Sequence, residues 1–462
     1  MRLVLLWMTL VCLAQAEFRV GVAQVDITPP LGAPMAGYYS NRGATGVHDP
    51  LHAKAMVIER EGTRVAMVAC DLLSIPGETA EAARKLIAQD PGIPATHVMI
   101  SATHTHMGPV LVMGQIRYNL EGEMRRLGEE YTRQLPGRIH EAVKLAAQRM
   151  QAAKLYTARG REESLTFNRR FWMKDGTVGW NPGKMNPNIV RPAGPIDGDL
   201  PVLYVESTDG KPIAAYVNYA LHLDTVGGQE YTADYPYTLG KVLAEARGEG
   251  LLTVFTLGAA GNLNHVDVST RRPQKGHGEA ARIGSVLGAA ALKALNHMEP
   301  VQDGALLVSS RKVPLALAPY TPEELEKARK DAATFGTPNQ APFLDLVKGS
   351  RIVTVAERNG KPIDAEVQVF SIGREVAWVA LPGEIFTELG LAIKLASPFH
   401  WTSIVSLAND SPGYIPDRKA HEQGAYEAIS SRFAPGSGEA LVDAATKALV
   451  EHIQKWRQTI RP

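Results

Sequence analysis

Two histidines one residue apart, His104 and His106, lie in the stretch Ser101-Ala102-Thr103-His104-Thr105-His106-Met107-Gly108-Pro109. The run before it, Thr96-His97-Val98-Met99-Ile100, is β-branched and apolar and predicts a buried strand. Gly108-Pro109 breaks that pattern. If the chain stays extended past the strand, alternation points both imidazoles to one face. One face with two imidazoles can supply one metal ligand and one acid/base group, or two ligands. Two polar histidines on a loop are the ordinary alternative, and the motif alone does not exclude it.

Other chemistry-bearing residues recur at strand ends. His222 follows an apolar run over 212–220, and Glu384 follows Leu381-Pro382-Gly383. Histidines and a carboxylate, with one position left open for water, are what a catalytic zinc takes. Asp71, at the end of a strand, is placed to orient a ligand histidine. Asn264-His265-Val266-Asp267 offers a polar substrate contact, a second metal site or a capped loop, and His48-Asp49 and Asp234 are weaker candidates of the same kind. Cys70 sits inside Val65-Ala66-Met67-Val68-Ala69, which favours an inert core thiol over a nucleophile. These residues are scattered over nearly the whole chain, with no compact His-Glu-x-x-His motif, so only the fold can bring them together.

The elements that must do so alternate irregularly. Strands are expected over 18–27, a hairpin pair over 53–60 and 63–73, and further strands over 155–166, 200–206, 212–220, 251–257, 365–379 and 401–407. Helices are expected over 78–88, 122–155 with a kink or split at Pro136, 279–296, 322–334 and 440–457, with others after Asp234-Tyr235-Pro236 and after Glu384. Residues 180–195 and 409–435 read as loop, and 300–360 change character towards proline and charge. The pattern predicts an α/β fold, a layered domain with mixed β-sheets flanked by helices.

The chain has 462 residues, enough for a large core, and a net charge of +1 with its basic residues dispersed, which argues against a nucleic-acid surface. Arg2, the apolar run from Leu3 to Leu13 and Ala14-Gln15-Ala16 read as a signal peptide over 1–16, too short to anchor in a bilayer. Val11 is too bulky for Cys12 to serve as a lipoprotein signal. Only Cys70 then remains, so no internal disulfide is available, and a secreted or periplasmic address is expected.

Several pieces, in order along the chain, resemble the catalytic domain of the neutral/alkaline non-lysosomal ceramidases. They are Val20-Gly21-Val22-Ala23-Gln24-Val25-Asp26-Ile27-Thr28-Pro29-Pro30, Thr103 to Pro109, Asn168-Arg169, Ala220-Leu221-His222, Ala260-Gly261-Asn262, Leu381-Pro382-Gly383-Glu384, and Gly413-Tyr414 followed by Tyr426. The resemblance implies Zn²⁺ held by His104, His222, Glu384 and Tyr414. It implies His106 as an acid/base histidine beside the metal. It also implies that Arg169 and Tyr426 bind substrate and the developing oxyanion. Two departures stand out. The family's C-terminal immunoglobulin-like domain is not expected within 17–462, and Asn264 replaces a serine of the family, so no serine nucleophile exists there. Asn264 and His265 are then expected as substrate contacts. The implied activity is hydrolysis of an N-acyl amide bond in a ceramide-like lipid, with transient contact at a membrane surface. A related zinc hydrolase on a non-ceramide amide or ester, and a non-catalytic secreted binding protein on the same scaffold, are the competing expectations.

Overall fold

The computed structural model describes residues 17–112, 120–301, 304–337 and 339–459. The expected signal peptide over 1–16 lies outside them. The main sheet is formed by β1 (Phe18–Asp26), β2 (His52–Arg60), β3 (Thr63–Cys70), β4 (Val98–Ala102), β5 (Gln151–Arg161), β6 (Asp199–Ser207), β7 (Pro212–Tyr219) and β8 (Leu252–Leu257). Their spatial order is β8-β7-β6-β5-β1-β2-β3-β4, and the short strand Glu299–Pro300 adds to β5. Most neighbours are antiparallel, but β3–β4 and β7–β8 are parallel. A second sheet follows the order β9 (Leu306–Leu315), β10 (Ile363–Ile372), β11 (Val376–Ala380) and β12 (Trp401–Val405), with β11–β12 parallel.

Alternation decides the layering. In β2, Ala55 and Val57 pack with residues of α1 (Gly77–Gln89) and α2 (Gly122–Gln148), while Met56 and Ile58 join Phe370, Ile372 and Trp378 of the second sheet. In β10, Val367 and Val369 turn the other way, to the core shared with helices α7 (Thr387–Ala396) and α10 (Ser437–Thr459). Strands β2, β3, β7, β8, β10 and β11 are thus buried on both faces, which is why they read as near-continuous hydrophobic runs. The result is helix, sheet, sheet, helix: the layered α/β class that the pattern predicts. Helices α3 (Tyr235–Arg247) and α4 (His277–Leu295) complete the outer layer on the main sheet. The pair α5 (Pro322–Ala332) and α6 (Phe343–Glu357) and the short helices α8 (Arg418–Gln423) and α9 (Ala425–Ser430) lie near the site described below.

Several boundaries differ from the sequence pattern. Helix α2 runs through Pro136 without a break, because Tyr131, Leu135, Ile139, Val143 and Ala146 on both sides of it are buried in one core. It stops at Gln148, and residues 151–155, expected as helix, open strand β5. The stretch 180–195 is not all loop: Val178–Trp180 and Ile189–Pro192 pair with Arg170–Met173 in a small sheet. Residues 409–435 hold α8, α9 and the short strand Tyr414–Ile415. Strand β9 and helix α6 fall in a region from which only α5 was expected.

Candidate metal centre and active-site cleft

Both sheets deliver their functional residues from strand ends on one side. Strand β4 ends at Ala102 and leads into His104, and β7 ends at Tyr219 and leads into His222. An isolated bridge between Thr105 and Leu223, with His106 N–H donating to the Leu223 carbonyl at 3.0 Å, zips these two loops together. From the second sheet, Glu384 follows β11 and Tyr414 follows β12, and the two residues pair in parallel register. A further bridge, Ser101 to Ala408, joins the two halves. Gly261 is required here, because a Cβ would lie 2.6 Å from the Glu384 carbonyl oxygen.

The extended course expected past β4 does not hold. His104 has φ +81, a left-handed conformation uncommon for a residue with a side chain. Its N–H donates to the Leu72 carbonyl and its Nδ1 to the Leu73 carbonyl at 2.8 Å, and these bonds hold the strained residue. The two histidines still meet, with ring centroids 5.0 Å apart, through the turn and not through alternation.

Hydrogen bonding fixes the tautomers. A carbonyl only accepts, so His104 Nδ1, facing Leu73, and His222 Nδ1, facing Ala260 at 3.0 Å, both carry protons. In the neutral rings each Nε2 then presents a lone pair, and that of His222 also lies 3.4 Å from Arg169 Nη1. Those two Nε2 atoms lie 3.0 Å apart, and Glu384 Oε2 is 3.4 Å from each. Two lone pairs and a carboxylate pointed at one another repel unless a cation sits between them. Two nitrogens bound tetrahedrally to zinc at about 2.0 Å would themselves lie roughly 3.3 Å apart. The donor set fits a small divalent cation. His106 offers a third nitrogen, since ligand atoms of His104, His106 and His222 all lie within 4.8 Å.

The remaining candidates take distinct places. Both ring nitrogens of His106 are buried without a hydrogen-bond partner, and burial with His104 nearby holds its pKa down to about 3, so the ring is neutral. Tyr38 packs edge-on against it. The Tyr414 phenol is buried, and burial together with Glu384 pushes its pKa far up, against the pull of Arg169. Arg169 is 4% exposed. It donates to Glu427 at 2.7 Å, to the Gly261 carbonyl at 2.7 Å and to the Tyr414 hydroxyl at 3.0 Å. Arg170 binds the other oxygen of Glu427 at 3.1 Å. Tyr426 lies 4.5 Å from the Trp180 ring and 5.7 Å from that of Phe343. A cleft of about 550 Å³ is lined by His104, His106, Glu384, Tyr414 and Tyr426. It shares Glu384, Tyr414 and Tyr426 with a lobe of about 480 Å³ that runs under α5 and α6, past Phe335 and Val347.

Asn264 and His265 do not line that cleft. They border a separate pocket on the far side of Tyr38. Asp267 caps its own turn by accepting from Ser269, Asp49 accepts from the Thr232 hydroxyl and the Ala233 N–H, and Asp234 caps α3. Asp71 accepts from the His52 N–H, away from the ligand histidines. Cys70 is fully buried, and burial raises its pKa, as an inert core thiol requires. Sequence reasoning missed Glu427, Asp224 and Tyr38. Glu427 adjoins Tyr426, and Asp224 is two residues from His222, but neither carries a motif of its own.

A model of the neutral/alkaline non-lysosomal ceramidase N-terminal region matches residues 18–225. A neutral ceramidase of Drosophila pseudoobscura pseudoobscura is 35% identical over 113 residues, 23% of this chain and 16% of that protein. Neutral ceramidase of Pseudomonas aeruginosa is 28% identical over 211 residues, 44% of this chain and 30% of that protein. Neutral ceramidase B of Dictyostelium discoideum is 25% identical over 225 residues, 47% of this chain and 30% of that protein. The matched segments therefore span less than a third of these curated relatives. The crystal structure of neutral ceramidase from Pseudomonas aeruginosa superposes with a TM-score of 0.73 at 21% identity, over 95% of this chain and 75% of that one. A ceramidase complexed with C2 gives 0.71 at 20% identity, over 95% and 76%. At that identity the structures establish the shared fold. The chain is thus similar to the neutral/alkaline non-lysosomal ceramidases over residues 18–225 and shares the fold of their solved structures.

Proposed function

We propose that the protein is a zinc-dependent amide hydrolase that cleaves the N-acyl bond of a ceramide-like lipid. The observation that carries the metal is the pair of His104 and His222 lone pairs, 3.0 Å apart and facing one carboxylate. Histidine nitrogen with carboxylate and phenol oxygen is a donor set suited to zinc. His104, His222, Glu384 and Tyr414 would hold it. The ion would supply a Lewis acid that polarises the amide carbonyl and acidifies a water molecule.

The chain's own residues do the rest. His106, neutral and with both nitrogens unpaired, takes the proton of the attacking water and returns it to the leaving amine. The Tyr426 hydroxyl donates to the carbonyl oxygen as it gains negative charge, an interaction of this kind being worth roughly 3–4 kcal/mol. Arg169 works one step back: its guanidinium donates to the Tyr414 hydroxyl and favours the charged phenol. Asn264 cannot form an acyl-enzyme, so the water attacks directly. The lobe past Phe335 and Val347 gives an acyl chain an apolar wall. Phe343 and Leu344, 38% and 43% exposed at the start of α6, suit brief contact with a lipid surface. Among the described residues no helix is long and apolar enough to cross a membrane, and export to the periplasm or medium rests on residues 1–16.

The test is metal analysis of the purified protein coupled to a hydrolysis screen over N-acyl sphingosines, N-acyl amino acids and simple esters. His222→Ala should lose both metal and activity while staying folded. Full zinc occupancy in that variant would remove His222 from the site, and turnover of esters alone would replace the amide reading.

A further inference from the structure

Behind Tyr38 lies a pocket of about 240 Å³ with its own polar group. It is smaller than the roughly 300–1,000 Å³ of sites that hold a whole drug-sized ligand, so it suits one substituent of a larger molecule. Tyr38 lines both this pocket and the cleft that holds His104 and His106. Its ring stands edge-on to His106, and its hydroxyl is tied to the Val226 carbonyl at 3.0 Å. Tyr38 is thus a wall common to the pocket and the cleft.

The polar group is a buried ion pair. His265 Nε2 donates to the Gln274 carbonyl at 2.7 Å, and its Nδ1 faces Asp224 Oδ1 at 3.2 Å. A neutral ring would turn a lone pair on the carboxylate, so His265 carries both protons. Asp224 outweighs the burial that would otherwise lower the histidine's pKa. Asp224 lines the pocket, and its side chain keeps 26% of its exposure, so the carboxylate still accepts hydrogen bonds from a guest. Asn264 donates to the Asn181 side-chain oxygen at 2.9 Å, which leaves the Asn181 amide nitrogen at the exposed rim beside Lys275. Val266, Val268 and the Tyr38 ring form the apolar wall.

The geometry points to a subsite for a polyhydroxylated, ring-sized group on the amine half of the substrate. Such a group donates hydroxyl protons to Asp224, accepts from Asn181 and Lys275, and lays a C–H face against Tyr38 and the valines. This deepens the amide-hydrolase reading and rests on it for the position of the scissile bond.

The experiment compares two amides with the same acyl chain, one of a plain alkylamine and one of an aminopolyol, on the zinc-loaded enzyme. Wild type should favour the aminopolyol amide by about tenfold or more in kcat/KM, mostly through KM. Asp224→Asn should lower that ratio about tenfold at unchanged zinc content, and Lys275→Met, at an exposed position that tolerates substitution, about threefold. A wild-type ratio near one overturns the proposal, as does an Asp224→Asn variant that loses both activities in proportion. Calorimetric titration with the free aminopolyol separates the two readings. Binding weakened by Asp224→Asn, with neither amide hydrolysed, upholds the pocket and removes the amidase. Absence of binding, with both amides hydrolysed alike, removes the pocket and keeps the amidase.

Discussion

The buried guanidinium pair around Glu427 shows how single residues set the centre. Glu427 is fully buried and holds Arg169 by one oxygen and Arg170 by the other. Breaking such a pair by removing one partner costs about 3–5 kcal/mol, since a charge is left without its counterion. Glu427→Gln keeps a hydrogen bond and should cost near the lower end, read as a shift in the urea midpoint. It should also weaken zinc binding, because Arg169 would no longer be held against Tyr414. Unchanged zinc affinity in a destabilised variant would make the cluster structural only. His106 separates a different pair of roles. As an acid/base group, His106→Ala keeps most of its zinc and loses turnover by roughly 10²–10⁴-fold. Loss of the metal instead would make the third nitrogen a ligand. Tyr426→Phe removes only a hydroxyl and should lower kcat and kcat/KM together with KM little changed; a raised KM alone would make it a binding residue. At this scale the ligand candidates were legible because His-x-His and Pro-Gly-Glu stand at the ends of readable strands. Glu427 and Asp224 were not, since their meaning lies in side chains up to 258 residues away in the chain.

At the scale of elements, hydrophobic runs gave the main sheet, because strands buried on both faces are apolar at nearly every position. The same argument fails for β9, whose middle is half-exposed, and for α6, whose Ile352, Val353, Thr354 and Val355 are β-branched and contradict local helix preference. Tertiary packing decides both. The closing helix α10 carries a pH-sensitive joint that no pattern marks. His452 is buried between Ser371 and Ser309, 2.8 and 2.9 Å from its two nitrogens. Burial, helped by Lys455, lowers its pKa from 6.5 to about 4. The unfolded chain therefore binds the proton more readily than the folded one. Stability from this group is fully present above pH 6.5 and is lost as pH falls towards 4. Between pH 7.5 and 5 the loss should be about 2 kcal/mol. Urea melts of wild type and His452→Gln at the two pH values check it, since the variant should lack that part of the slope. An equal slope in both would place the titrating group elsewhere.

For the whole molecule, the centre sits where the two sheets meet at their strand ends. His104 and His222 come from the main sheet, and Glu384 and Tyr414 from the second. The apolar layer between the sheets joins them along their faces, while a metal would join them at one edge. A cation that binds only the folded chain stabilises it by about 4 kcal/mol when present at 1,000 times its dissociation constant. The gain should not be spread evenly. Hydrogen exchange at Ile415, whose partner loop includes Glu384, and at His106, whose N–H bonds to Leu223, should slow together when zinc is added to the chelated protein. Protection of the His106 and Leu223 loops alone would leave a histidine-only site, with Glu384 and Tyr414 outside it. Protection on both sides of the seam, lost on the second side in Glu384→Gln, would mean that the metal closes the interface between the sheets as well as serving the cleft.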